Sequence, residues 1–155
     1  MNLLNVLGNP ILTDNGVSLI FAVLLDGTAA WDAGTTPPLL HLYADDVPLT
    51  PQTVLADLTE AAFSGYATVP MDALVDSLNV DGVPILENLT AAVFEGAIPL
   101  TVPATIAGYY WTDADNTKLL AVERFDQLFA MDEQEDRIAI TGRLVLRGLL
   151  PSPTA

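Results

Sequence analysis

The sequence predicts an all-β fold, an antiparallel β-sandwich with one short helix, the jelly roll being one form that sandwich could take. Three observations carry this. Short apolar runs recur along the chain and are separated by turn residues. In the last third, Thr105–Trp111 (TIAGYYW) and Lys118–Phe125 (KLLAVERF) flank a polar turn, the pattern of a β-hairpin. Arg137–Leu146 (RIAITGRLVL) alternates, with Ile138, Ile140 and Leu144 on one side and Arg137, Thr141 and Arg143 more exposed. Roughly eight strands with spaced turns fit a sandwich.

Taken in order, residues 1–12 (MNLLNVLGNPIL) place leucines and valine at mixed spacing before Gly8-Asn9-Pro10, which a periodic helix would not contain. They form either a strand closing their own sheet or an N-terminal arm that packs on a neighbour. Asn15-Gly16 signals a turn. Val17–Leu25 (VSLIFAVLL), with no polar face beyond Ser18, should then be a central strand covered on both sides, its β-branched and aromatic residues weighing against the alternative of a helix. From Asp26 to Pro38 the chain is turn-forming, with Trp31 as a plug for the loop.

Leu39–Tyr43 (LLHLY) reads as a strand. Thr50-Pro51 is how a short helix begins, with a hydroxyl cap and proline where no amide is needed, and it would hold Val54 to Leu58. Phe63–Val69 should be a strand kinked at Gly65. Met71–Leu78 suits a loop or a single helical turn. Val83-Pro84-Ile85 enters a strand, Leu89–Phe94 is another, and Leu100-Thr101-Val102 between two prolines belongs at an edge. Residues 149–155 are a proline-rich, irregular tail, and 155 residues suit one domain.

Charge and composition narrow the function. Residues 1–117 carry fourteen acids and no Lys or Arg, and all five bases (Lys118, Arg124, Arg137, Arg143, Arg147) follow. A net charge of −15 has the wrong sign for gripping phosphates, so neither DNA nor RNA is expected as a partner. Only 16% of residues are charged against 51% apolar, so part of the exterior should be covered by other subunits. The absence of cysteine removes thiol chemistry. No stretch approaches the ~20 apolar residues that cross a bilayer, and no basic segment precedes an apolar one near the start, so neither membrane nor export is expected.

No enzymatic machinery stands out, and no cofactor or metal is expected. The one histidine, His41, lies in a strand with no diagnostic partner nearby, and a structural or interface role suits it. Asp113-Ala114-Asp115 begins like a calcium loop, but Lys118 and Arg124 stand where glycine and glutamate are required. Asp45-Asp46 invites the same thought. Tyr109-Tyr110-Trp111 must divide between two faces of a strand, which would send at least one ring outward, to an interface or onto a sugar.

The residues Leu40, Leu42, Tyr43, Thr50, Thr53, Leu55-Ala56-Asp57, Thr59-Glu60-Ala61, Phe63 and Gly65-Tyr66-Ala67 follow a pattern LxLY…TxxTxLADxTEAxFxGYA. This resembles a family of small structural proteins encoded by tailed phages and prophages. The hairpin, GYYWxDxxxxxLLxxERF from Gly108 to Phe125, has the same look. The resemblance implies a virion structural protein, foremost a capsid decoration (cement) protein on the outer face of the major capsid lattice. It would be made in the host cytoplasm and be a trimer or dimer. A tail or fibre component binding a receptor glycan is the second reading, and a non-viral lectin or enzyme the third. Candidate interface residues are Leu3, Leu4, Trp31, Tyr110, Arg143 and Arg147.

Overall fold

The structure, a computed structural model, describes residues 1–7, 10–21, 37–71, 74–78, 84–88 and 90–145. Eleven strands, one helix and one 3-10 turn are formed among them. The fold is all-β. A five-stranded sheet takes β2 (Ile11–Leu12), β9 (Leu119–Met131), β8 (Ala104–Thr112), β3 (Leu39–Tyr43) and β4 (Val69–Pro70) in that spatial order. A three-stranded sheet places β1 (Leu3–Leu7) beside β10 (Arg137–Thr141) and then β7 (Ala92–Glu95). A second three-stranded sheet joins β11 (Arg143–Val145), β6 (Pro84–Asn88) and β5 (Leu74–Leu78).

The sandwich core lies between the first two sheets. Alternation dictates who enters it: Leu40 and Leu42 from β3, Tyr109 and Trp111 from β8, Ile138 and Ile140 from β10, and Ala92 and Phe94 from β7. Ile138, Ile140 and Trp111 have no exposed surface, as the alternation predicts for the two isoleucines. The other side of the five-stranded sheet is also covered. Tyr43, Ala107, Tyr110, Leu119 and Val122 form a second cluster there, under Val47, Leu49, Leu55 and Leu58. A bulge between Ile106 and Gly108 shifts the parity of β8. A side chain at Gly108 would meet the Tyr43 ring at 2.6 Å, so only glycine lets tyrosine lie flat there.

Four expectations are corrected. Residues Asp14–Phe21 form the helix α1, where a turn and then a strand were expected. Thr13 explains it: its Oγ1 accepts from the Gly16 N–H at 3.2 Å and its carbonyl accepts from Val17 N–H at 2.9 Å. The Thr13 N–H donates to the Leu120 carbonyl at 3.0 Å, bolting the helix start to β9. Glycine at 16 answers a close approach to that carbonyl. The rest of the expected strand, 22–25, lies outside the described residues, as does the loop with Trp31.

The helix expected after Thr50 is a turn followed by a 3-10 turn at Leu55–Asp57. Its first amide, Val54 N–H, donates to the Asp57 carboxylate at 2.9 Å, while Thr50 Oγ1 accepts from Gln52 N–H at 3.2 Å. The strand expected over Phe63–Val69 is reduced to Val69–Pro70, because Ser64-Gly65 turn the chain back. Residues Leu74–Leu78, expected as loop or helical turn, pair antiparallel with β6. One pairing also departs from a wholly antiparallel sandwich: β1 runs parallel to β10, Leu3 beside Arg137 and Leu7 beside Thr141.

Candidate functional site

The densest polar arrangement lies on the second side of the five-stranded sheet. β3 and β8 place His41 opposite Tyr110, and the two rings stack with centroids 4.6 Å apart and planes 7° from parallel. His41 Nε2 is 2.9 Å from Thr112 Oγ1, and Nδ1 is 2.8 Å from Glu60 Oε1. The Tyr66 hydroxyl donates to the same Glu60 oxygen at 2.8 Å and accepts from the Leu42 N–H at 3.2 Å.

Glu60 reaches this position because residues 59–61 ride along the free side of β3. Ala44 N–H donates to the Thr59 carbonyl at 3.0 Å and Ala61 N–H to the Leu42 carbonyl at 2.9 Å. Asp45 fixes the same segment by accepting from Thr59 N–H at 2.8 Å. A carboxylate against Nδ1 favours a hydrogen there, and the Thr112 hydroxyl, able to donate or accept, satisfies Nε2.

Hydroxyl, imidazole and carboxylate in that order are the parts of a nucleophilic triad. Here, however, His41 and Thr112 have no exposed surface, and only the Glu60 side chain, 40% exposed, meets solvent. The hydroxyl is thus shielded from solvent, and the relay ties a chain segment to a sheet. Burial, then the Glu60 carboxylate beside it, pushes the Tyr66 hydroxyl well above the ordinary tyrosine range, with the Leu42 amide opposing.

Outside this network a shallow groove of about 660 Å³ runs past Glu60, Ala62, Phe63, Ser64, Tyr66 and Val102. Its rings are engaged: Tyr66 packs edge-on to Phe63 at 5.3 Å and stacks on Phe94 at 5.9 Å. Ser64 Oγ is spent on holding the neighbouring loop, accepting from Thr101 N–H at 3.1 Å and Val102 N–H at 2.8 Å.

Among the described residues, the candidate interface positions do not converge. Leu3 is 59% exposed on β1, while Leu4 is partly buried against the core. Arg143 begins β11, at the opposite end of β10 from Leu3, and is half-buried. Trp31 and Arg147 lie outside the described residues. Tyr110 is corrected: it is 2% exposed, because His41 and the segment after β3 roof the side toward which it points. None of Tyr109, Tyr110 and Trp111 points outward, so β8 offers no ring to a sugar.

The carboxylates weighed for calcium have other duties. Asp113 accepts from the amides of Thr117 and Lys118 at 2.6 and 2.9 Å and from the Thr117 hydroxyl at 2.6 Å. Burial alone would push its carboxyl up, but these bonds and the Lys118 charge hold it below the usual carboxylate range. Asp46 pairs with Arg124 at 2.7 Å. Among the described residues no group of three or more metal-binding side chains converges, and no helix is long and apolar enough to cross a membrane.

Sequence reasoning missed Glu60, Tyr66 and Thr112 as partners of His41. They stand 19, 25 and 71 positions away, and only the fold brings the first and last to its two ring nitrogens. Comparison with protein-family models, with curated proteins and with solved structures finds no match to this chain.

Proposed function

We propose that the chain is a structural protein of a tailed-phage virion, decorating the outer face of the major capsid lattice as a trimer or dimer. The observation that carries this reading is the segment from Leu40 to Ala67, whose spacing resembles that family. In this fold its residues are joints of the architecture. Leu40 and Leu42 fill the core, Thr53 accepts from the Thr50 amide at 2.9 Å, Asp57 caps the 3-10 turn, and Glu60 and Tyr66 hold His41. Two further features support it. The exterior carries large apolar side chains at Leu3, Ile98, Val102 and Leu128, each more than half exposed, which neighbouring subunits would cover. An acidic exterior suits the outside of a shell more than a genome-facing lining. The reading assigns no catalysis and no cofactor to the chain.

The test is co-sedimentation of purified protein with heads of the encoding phage from which it has been stripped. Saturable rebinding at a fixed ratio to the shell subunit is the expected result, and loss of rebinding by Arg143→Glu/Arg147→Glu would place the basic end at the contact. Protein that stays in the supernatant with intact, accessible heads would overturn the reading.

A further inference from the structure

Residues 61–71 and 96–112 hold no charged side chain, in a chain with twenty acids. The fold joins their exposed parts into one neutral face, and Ser64 is the joint. Its Oγ accepts from the Thr101 and Val102 amides, its own N–H donates to the Val102 carbonyl at 3.1 Å, and its carbonyl accepts from the Ala97 N–H at 2.8 Å. Gly65, at φ 93°, lies so close to the root of the loop that a Cβ would stand 2.8 Å from the Ala97 nitrogen. Residues 97–103 are therefore fixed, while Ile98 and Val102 stay more than half exposed on them. Beside this loop runs the groove of about 660 Å³ past Ala62, Phe63, Tyr66 and Ala67, which Val102 also lines.

We propose that this face pairs with the same face of a second copy, the Ile98 loop of each entering the groove of the other. A knob and a groove on one face are self-complementary about a two-fold axis. Because the loop is already pinned, its apolar side chains dock with little ordering cost.

Charge selects the occupant. A basic partner is drawn to surfaces that carry acids, and this face offers it little. The one charged side chain lining the groove is Glu60, whose Oε1 already serves His41 Nδ1 and the Tyr66 hydroxyl. A second copy carries −15, so two copies meet most readily where neither sets acid against acid. The border of the face is acidic. Glu95 stands there, paired with Arg137 at 3.1 Å, and the turn with Asp132, Glu133 and Glu135 lies behind Gly96. Repulsion across that border opposes the pair, and salt screens it. This pairing makes the oligomer proposed above a two-fold dimer and rests on no part of the virion reading. Protein that rebinds heads yet is monomeric in solution would strike this contact alone.

The measurement is sedimentation equilibrium of the full chain. A monomer–dimer equilibrium is expected, tightened about threefold when salt is raised from about 0.05 to about 0.5 M. Ile98→Glu, at an exposed site, should raise the dimer dissociation constant by at least about tenfold with an unchanged urea midpoint. The chain has no cysteine, so a mixture of Ile98→Cys and Ala62→Cys chains reports the contact directly, and decides the matter should Ile98→Glu lower the midpoint. Oxidation should join one chain of each kind in preference to like pairs. A monomer at every concentration, a trimer, a dimer unaffected by Ile98→Glu or loosened by salt, or cross-linking without that preference would each overturn the proposal.

Discussion

The five-stranded sheet is covered on both sides, but by different means. On the sandwich side another sheet supplies the cover, and the contact is made by side chains such as Trp111, Leu40, Phe94 and Ile138. On the other side the cover is an irregular segment, residues 47–58, held by a small apolar cluster and tied down beyond it by the bonds among Glu60, His41, Tyr66 and Thr112. A sheet-on-sheet contact is non-directional and set by volume, whereas a segment without its own ladder must be pinned by directed bonds. The sandwich side should therefore fail through lost volume and the roofed side through lost partners.

The largest expected effect spans both sides. All four tyrosines of the chain have hydroxyls pushed above the ordinary value of 10, in each case chiefly by burial. Groups held neutral in the fold contribute stability that is complete below the unfolded value and declines as pH rises beyond it. Tyrosinate absorbance should thus appear in one cooperative step together with alkaline unfolding. A fraction titrating near pH 10 in folded protein would show that one side opens independently.

Trp111→Ala on the sandwich side should cost about 3–5 kcal/mol in urea denaturation, the loss of a large ring with no exposed surface. Asp136 calibrates the polar side. It is fully buried in the turn between β9 and β10 and accepts from the amides of Glu133, Asn2 and Asp132 at 2.8, 2.6 and 3.1 Å. Burial alone would raise its carboxyl, but those amides and the nearby amino terminus hold it below 3.8. A depressed carboxylate stabilises above its unfolded value, and that contribution is lost as pH falls through the folded one. Asp136→Asn should cost about 2 kcal/mol at pH 7, and its difference from the parent protein should shrink as pH falls below 3.8, measured by denaturation across that range.

The smallest effects make the sharpest contrast. Tyr66→Phe removes a bond to Glu60 and strands the Leu42 amide, which should cost about 1 kcal/mol. Tyr43 lies under the same roof, yet its buried hydroxyl has no hydrogen-bond partner among the described residues. Tyr43→Phe should change stability by less than about 0.5 kcal/mol, or raise it. Equal losses for the two would mean that packing, not directed bonding, holds the roof.

The same contrast explains what was legible in the sequence. β3 and the β8–β9 hairpin were readable as apolar runs bounded by turns, and β10 because burial on one face writes itself into a two-residue period. The helix Asp14–Phe21 was not: Val17-Ser18-Leu19-Ile20-Phe21 carries β-branched and aromatic residues, and the deciding signal was the single hydroxyl of Thr13 together with the approach of β9 to Gly16. Tyr110 was expected outside because alternation says only that two neighbours face opposite ways, and both ways here are inside. His41 is buried, and its partners arrive from distant segments that local patterns do not connect.

The parallel ladder between β1 and β10 has a consequence for biosynthesis. The first strand emerges from the ribosome more than a hundred residues before its partner, Leu3 pairing with Arg137 and Leu7 with Thr141. At ordinary translation speeds that delay is on the order of ten seconds. Throughout it, an uncharged ribbon of leucine, asparagine and valine lacks its ladder partner, so β1 is open to stray β-pairing until β10 has been made.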